Sequence, residues 1–171
     1  MESINVIGLM TGTSCDGMDL SLVNCKKNNN SIDGKTIKNH YVKYPVSLTK
    51  KLLKSYISSP PELAKTHMQL GQFWSEKISE WVKENNLQYD LIGIHGQTVF
   101  HDGGQSTLQI GEPLYISKSL KVPVIYNFRT KDIINKGQGA PLMPVVDRWL
   151  FKNESKDIIL KMNQKILSHL M

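Results

Sequence analysis

The sequence is poor in cysteine and arginine and contains no long apolar segment. Its two cysteines, Cys15 and Cys25, are not spaced as metal ligands, and no charged segment followed by an apolar one opens the chain, so we expect a reducing, cytoplasmic setting. No run of roughly 20 apolar residues is present, which excludes a helix that crosses a membrane. Two of the 21 basic residues are arginines, and the lysines are scattered rather than clustered, which argues against nucleic acid as a partner.

The first half of the chain shows strand patterns followed by helix patterns. The 171 residues, 40% of them hydrophobic, suffice for one domain with a core. Residues 4–10 and 18–23 predict two strands joined by a turn at Asp16-Gly17, and a third strand is expected within residues 36–46. Residues 47–57 predict a short helix. A longer helix is expected from its N-cap, Ser59, to Asn85-Asn86.

The second half alternates between strand and helix patterns. Strands are predicted at residues 90–94, 107–110 and 122–128, with a helix at 114–120 between the last two. A turn at 137–141, a helix at 143–151 and a strand at 157–160 follow. An opening meander followed by this alternation predicts an α/β domain with a mixed sheet flanked by helices.

The segment at residues 8–19, GLMTGTSCDGMD, joins the first two predicted strands. A glycine-rich turn exposes backbone N–H groups that converge on an anion, and hydroxyl groups add donors or reach a phosphate-bound Mg²⁺. It is not a Walker A loop, because the lysine is absent and the segment leads into a strand. A phosphate cradle and an ordinary hairpin turn remain equally good interpretations of the pattern alone.

Residues 95–98, HGQT, follow a predicted buried strand, where α/β proteins bind ligands. His95 is a candidate general base or ligand donor, and Gln97 a candidate partner for a sugar hydroxyl. With His101 and Asp102 nearby, a metal site or a His95–Asp102 pair is a weaker hypothesis. A structural role for His95 is the plain alternative.

Arg129 follows the strand predicted at residues 122–128 and is one of two arginines in the chain. A planar guanidinium suits the two-point recognition of a carboxylate. An ion pair with Asp132 is an equally good interpretation.

Together these segments resemble the anhydro-N-acetylmuramic acid kinase family, in the superfamily of sugar kinases, actin and the heat-shock ATPases. The matching stretches are residues 8–19 (GLMTGTSCDGMD), 93–98 (GIHGQT), 108–111 (LQIG), 127–129 (NFR) and 137–142 (GQGAPL). The resemblance extends from about residue 4 to residue 160. It implies a ribonuclease-H-like, actin-like ATPase domain. It also implies that full-length family members are candidates for homodimer formation.

The resemblance also implies ligands and roles. Family members open the anhydro ring with water and phosphorylate the 6-oxygen with ATP, as part of cell-wall recycling. The turn would bind the phosphates of ATP, with Asp19 near Mg²⁺; its residues are Gly12, Thr13, Ser14, Cys15, Asp16, Gly17, Met18 and Asp19. The candidate substrate-binding residues are His95, Gln97, Thr98, Arg129 and Gln138.

The chain also departs from the family pattern. Asn127 stands where the family has Asp, and the family's second phosphate loop and general-base Asp have no counterpart up to residue 171. We therefore expect an N-terminal kinase domain over residues 1–160, an atypical tail over 161–171, and no kinase activity from this chain alone. A non-catalytic phosphate- or sugar-binding remnant and a small hydrolase using His95 are the alternatives.

Overall fold

The computed structural model describes residues 3–28, 31–144 and 146. Seven strands and four α-helices lie within these residues. The strands are β1 (Ser3–Thr11), β2 (Gly17–Asn28), β3 (Ser31–Lys43), β4 (Leu91–Ile94), β5 (Gln97–Asp102), β6 (Ser106–Ile110) and β7 (Val124–Ile125). The helices are α1 (Val46–Leu53), α2 (Pro60–Glu84), α3 (Leu114–Leu120) and α4 (Phe128–Ile134), with a 3₁₀ turn at Ser55–Ile57.

The main sheet has five strands in the order β3-β2-β1-β4-β7. The first three strands form an antiparallel meander, while β1, β4 and β7 are parallel. The prediction of an α/β domain with a mixed sheet and an opening meander is confirmed. The architecture agrees with a ribonuclease-H-like, actin-like ATPase domain.

Buried apolar residues alternate with more exposed residues along β1 and β2, and the buried ones form the core between the sheet and the helices. Ile7 faces Leu22 and Leu9 faces Leu20 across the hairpin, and all four side chains are buried. Apolar residues of α2 at helical spacing pack on the same core: Leu70, Trp74, Ile78 and Trp81. Burial of this apolar area is the main favourable contribution to folding.

The predicted start of α2 is confirmed. The Glu62 carboxylate accepts hydrogen bonds from the backbone N–H of Ser59 at 3.0 Å and from its hydroxyl at 2.7 Å. Pro60 occupies the first helical position, where no backbone N–H is needed. These contacts fix the point at which the chain enters the helix that packs behind the sheet.

The structure departs from the sequence prediction at two places. Residues 97–102, for which no strand was predicted, form β5, which pairs with β6 in a separate two-stranded sheet. The strand expected at 122–128 shortens to the two residues of β7, because Asn127 adopts a left-handed conformation with φ 61° and α4 begins at Phe128. Arg129 therefore lies in the first turn of a helix.

Three further predictions fall wholly or partly outside the described residues. These are the helix at 143–151, the strand at 157–160 and the tail at 161–171. The division into a domain at 1–160 and a tail stays a prediction. Among the described residues, no helix combines the length and hydropathy needed to cross a bilayer.

Candidate functional site

The glycine-rich turn closes the β1–β2 hairpin at the carboxyl end of β1. Gly12, Thr13, Ser14 and Asp16 are exposed, and the N–H of Cys15 donates to the carbonyl of Gly12 at 3.3 Å. Within residues 3–28, 31–144 and 146, no acceptor binds the backbone N–H groups of Gly12, Thr13 or Ser14. Three neighbouring donors on an exposed turn are suited to an anion.

Other residues of the predicted phosphate loop are turned inward. Cys15 and Met18 are buried, and a Cβ built on Gly17 would lie 2.5 Å from the carbonyl oxygen of Val42 on β3. These three residues fix the turn against the sheet, and the side chains of Cys15 and Met18 are not exposed to a ligand. Direct phosphate contact by each of them stays a prediction.

Two carboxylates lie on the exposed side of the hairpin. The Ser14 hydroxyl donates to Asp16, and this hydrogen bond is the main cause that lowers the pKa of the Asp16 carboxyl. Asp19 is exposed on β2 between buried Met18 and Leu20. Mg²⁺ in phosphate sites takes one or two carboxylates and completes its shell with phosphate and water, and two exposed acids beside the turn fit that requirement. Metal binding by Asp19 stays a prediction.

Hydrogen bonds tie the turn to the end of β4. The Thr11 hydroxyl donates to the Gly96 carbonyl at 3.1 Å, and the Gln97 side-chain amide donates to the Gly12 carbonyl at 3.0 Å. Gln97 is 1% exposed, and its Oε1 has no partner within the described residues. The amide predicted to bind a sugar hydroxyl is thus already bonded to the turn, and its sugar contact stays a prediction.

A cavity of about 350 Å³ lies beside this junction. It is bordered by the segment after β4, the end of β6 and the segment after β7. The polar side chains that line it are His67, His95, Gln109, Glu112, Tyr126 and Asn127. Its size and mixed lining suit a small polar ligand.

His67 and Glu112 were missed by the sequence analysis. His67 on α2 accepts from the Gly111 N–H through Nδ1 at 3.0 Å, and its Nε2 lies 3.1 Å from Glu112. Glu112 also accepts from the Leu114 N–H at 2.9 Å, the main cause that lowers the pKa of its carboxyl. The one signal in the sequence was that Glu112 lies just before the helix predicted at residues 114–120. Nothing in the sequence linked Glu112 to His67, which is 45 residues away.

His95 lines the cavity and is hydrogen-bonded to Arg129, which is not part of the lining. The Arg129 Nε–H donates to His95 Nε2 at 2.9 Å, while His95 Nδ1 lies 2.9 Å from the Gly96 carbonyl. Burial lowers the pKa of His95, and the nearby guanidinium adds to this effect. Because the Arg129 Nε–H can only donate, Nε2 is the accepting nitrogen and carries no proton, and the proton of the ring is on Nδ1, which faces the Gly96 carbonyl.

Two alternatives lose support from these contacts. The Asp132 carboxylate accepts from the Gly139 N–H at 2.7 Å, and no ion pair joins it to Arg129, whose Nε–H donates to His95 instead. Both ring nitrogens of His95 are occupied by groups other than Asp102, so the His95–Asp102 pair is not formed. No group of three or more metal-binding side chains occurs in the part of the chain that the structure describes.

The two remaining candidates lie around the β5–β6 hairpin. Thr98, on β5, is partly buried and stands opposite Gln109 in the hairpin register. Gln138 is exposed, and its carbonyl accepts from the Gly104 N–H at the hairpin tip at 3.2 Å. Substrate contact by either stays a prediction.

The chain is similar to known proteins over most of its length. The family model described as anhydro-N-acetylmuramic acid kinase matches residues 4–163. One relative is the anhydro-N-acetylmuramic acid kinase of Bacillus cereus (strain B4264), which is 37% identical over 170 residues; the match covers 91% of this chain and 43% of that protein. A second is the anhydro-N-acetylmuramic acid kinase of Bacillus thuringiensis subsp. konkukian (strain 97-27), which is 36% identical over 170 residues; the match covers 91% of this chain and 44% of that protein. A relative of that name from Bacillus anthracis (strain CDC 684 / NRRL 3495) is 36% identical over the same share of this chain.

These relatives are longer proteins. The chain spans less than half the length of the curated relatives it matches. The match nevertheless includes the glycine-rich turn, the segment after β4, the end of β6 and α4. The chain belongs to the anhydro-N-acetylmuramic acid kinase family.

Proposed function

We propose that this chain binds ATP phosphates and 1,6-anhydro-N-acetylmuramic acid for a kinase that opens the anhydro ring and phosphorylates the sugar in cell-wall recycling. The observation that carries the proposal is the junction of the exposed turn with the cavity through Thr11, Gly96 and Gln97. Transfer of a phosphoryl group needs mainly positioning and charge stabilisation. A phosphate site that is joined by hydrogen bonds to a sugar-sized cavity would provide the positioning.

The turn is the proposed phosphate site. The N–H groups of Gly12, Thr13 and Ser14 would donate to phosphate oxygens, and Asp16 and Asp19 would hold Mg²⁺ directly or through water. Bound Mg²⁺ would neutralise charge on the phosphates. A Cβ on Gly12 would point into open space apart from the Ser14 hydroxyl at 3.2 Å, so a phosphate oxygen can approach closely there.

The cavity is the proposed sugar site. Gln109, Tyr126 and Asn127 line the cavity and offer amide and hydroxyl groups to sugar hydroxyls. Arg129, which is bonded to the lining residue His95, would offer a cation to the lactyl carboxylate of the muramic acid. Arg129 is suited to this role because no carboxylate pairs with it among the described residues.

The described residues favour binding over proton abstraction. Glu112 is the carboxylate that lines the cavity, and it is held by the Leu114 N–H and by His67, with a lowered pKa that makes it a weaker base. We propose that the general base of the complete reaction comes from the part of the relatives that this chain does not match. A hydrolase using His95 and Asp102 is disfavoured because both ring nitrogens of His95 are already bonded elsewhere.

The Arg129→Lys substitution tests the sugar assignment. Lysine keeps the charge but loses the planar, two-point geometry, so the affinity of the 171-residue chain for 1,6-anhydro-N-acetylmuramic acid is expected to fall about 10-fold. Affinity for 1,6-anhydro-N-acetylglucosamine, which lacks the lactyl carboxylate, should change little. Isothermal titration with both sugars measures the difference.

Lys131→Gln is the control for this test, because it removes a cation from the same helix without touching the proposed clamp. It should leave both affinities unchanged. Equal losses on the two sugars for Arg129→Lys would show that Arg129 acts in the fold rather than on the carboxylate.

A further inference from the structure

His95 occupies a position between two parts of the proposed site. Its Nδ1 faces the carbonyl of Gly96, and that carbonyl also accepts from the Thr11 hydroxyl at the end of β1. Its Nε2 accepts from Arg129 on α4. A continuous series of hydrogen bonds thus connects Thr11, next to the phosphate turn, with Arg129.

The direction of each hydrogen bond follows from the donors. The Nε of arginine carries a hydrogen and has no acceptor capacity, so His95 Nε2 must be the acceptor and carries no proton. A backbone carbonyl only accepts, so the proton of the neutral ring is on Nδ1. The Gly96 carbonyl therefore selects the tautomer that receives Arg129.

The bond to His95 uses one edge of the guanidinium. Within the part of the chain that the structure describes, the terminal nitrogens of Arg129 have no hydrogen-bond acceptor, although the side chain is partly buried. A guanidinium held through Nε keeps its terminal N–H groups for a second, planar acceptor. Holding it in one orientation lowers the entropy lost when that acceptor binds.

We infer that His95 is a positioning residue that orients Arg129 toward the carboxylate of the substrate and links it, through Gly96 and Thr11, to the phosphate turn. This inference rests on the proposed function for the identity of the substrate. It assigns His95 no proton transfer, in contrast to the general-base role considered from the sequence. Its role is to accept one hydrogen bond in one tautomer.

Two substitutions separate this role from a general effect on the fold. In His95→Gln the side-chain oxygen reaches about as far as Nε2 and still accepts from Arg129, whereas in His95→Asn it reaches only as far as Nδ1. His95→Asn should weaken binding of 1,6-anhydro-N-acetylmuramic acid to the 171-residue chain about 10-fold, and His95→Gln should recover most of that loss. The difference between the two variants should disappear with 1,6-anhydro-N-acetylglucosamine, because this sugar lacks the lactyl carboxylate that Arg129 would bind.

The tautomer is measured independently of any sugar. Ring ¹⁵N shifts of the histidine-labelled chain should show His95 with Nδ1 protonated and Nε2 unprotonated at pH 7. Arg129→Met should release this single tautomer, while His101, whose Nδ1 lies 3.3 Å from the Thr107 hydroxyl, should keep its shifts as an internal control.

The outcomes separate the inference from the proposed function. A protonated Nε2, or equal losses for His95→Asn and His95→Gln, overturns the positioning role while leaving sugar binding intact. The same difference between His95→Asn and His95→Gln on both sugars would also overturn it, because the effect would then not act through the carboxylate. Failure of the unsubstituted chain to bind either sugar would contradict the proposed function, and the assignment of the carboxylate ligand would fall with it.

Discussion

Gly12→Val is expected to abolish most of the affinity of this chain for Mg·ATP while leaving its fold intact. Gly12 lies on the exposed turn, outside the left-handed region of backbone conformation, and the nearest atom to a Cβ built there is the Ser14 hydroxyl at 3.2 Å. A branched side chain is therefore tolerated by the protein but occupies the space through which phosphate approaches the backbone N–H groups. Loss of two or three such contacts predicts at least about a 10-fold weaker affinity.

Gly34→Val is the matched control. Gly34 lies on β3, far along the meander from the turn, and a Cβ there meets only a side-chain carbon of Val23 at 3.5 Å. The same substitution is thus accommodated without touching the proposed phosphate site. Titration with Mg·ATP should distinguish the two variants, and equal affinities would refute the assignment of the turn.

Gly111→Ala is expected to cause the largest loss of stability. Gly111 has φ 110°, and a Cβ there would lie 2.0 Å from the buried ring of Trp74. Trp74 cannot give way easily, because its indole N–H donates to the Tyr44 hydroxyl at 2.8 Å and it is fully buried. Overpacking and backbone strain together predict a loss of about 3 kcal/mol in the free energy of unfolding.

Urea denaturation of the chain measures this loss, with Gly8→Ala as the control. Gly8 lies on β1, and a Cβ there meets nothing closer than the Ser21 carbonyl at 3.9 Å. Its substitution should change the free energy of unfolding by less than about 1 kcal/mol. If Gly111→Ala were no more damaging than Gly8→Ala, the contact between α2 and the end of β6 would be wrong.

The sequence predicted the elements whose signals are local. The β1–β2 hairpin follows from two apolar runs around Asp16-Gly17, and α2 follows from its capping residues and its regular apolar positions. Both signals lie within one element and need no distant partner. The mixed sheet then follows from the alternation of strands and helices.

The sequence prediction missed β5 and made β7 too long, and both differences have a physical reason. Residues 97–102 do not alternate cleanly between buried and exposed positions, because β5 and β6 form a small separate sheet. At β7, a predicted seven-residue strand is cut short where Asn127 takes the left-handed conformation that asparagine tolerates better than most residues. The local apolar pattern does not report such a backbone reversal.

The contacts of the site depend on residues that are distant in sequence. His95 and Arg129 were both recognised as candidates, but their hydrogen bond spans 34 residues. The competing ion pair with Asp132 was plausible from spacing alone, since Asp132 lies three positions after Arg129. In the structure, Asp132 accepts from the Gly139 N–H after α4, while Arg129 donates to His95.

The central claim is that the turn and the cavity bind the phosphates and the sugar, respectively. Amide NMR of the ¹⁵N-labelled chain, titrated separately with Mg·ATP and with 1,6-anhydro-N-acetylmuramic acid, tests it most directly. We expect Mg·ATP to shift the amides of Gly12, Thr13 and Ser14, and the sugar to shift those of His95, Gly111 and Asn127, which border the cavity. Titrations that leave both groups of amides unchanged, or that shift only residues remote from them, would contradict the account.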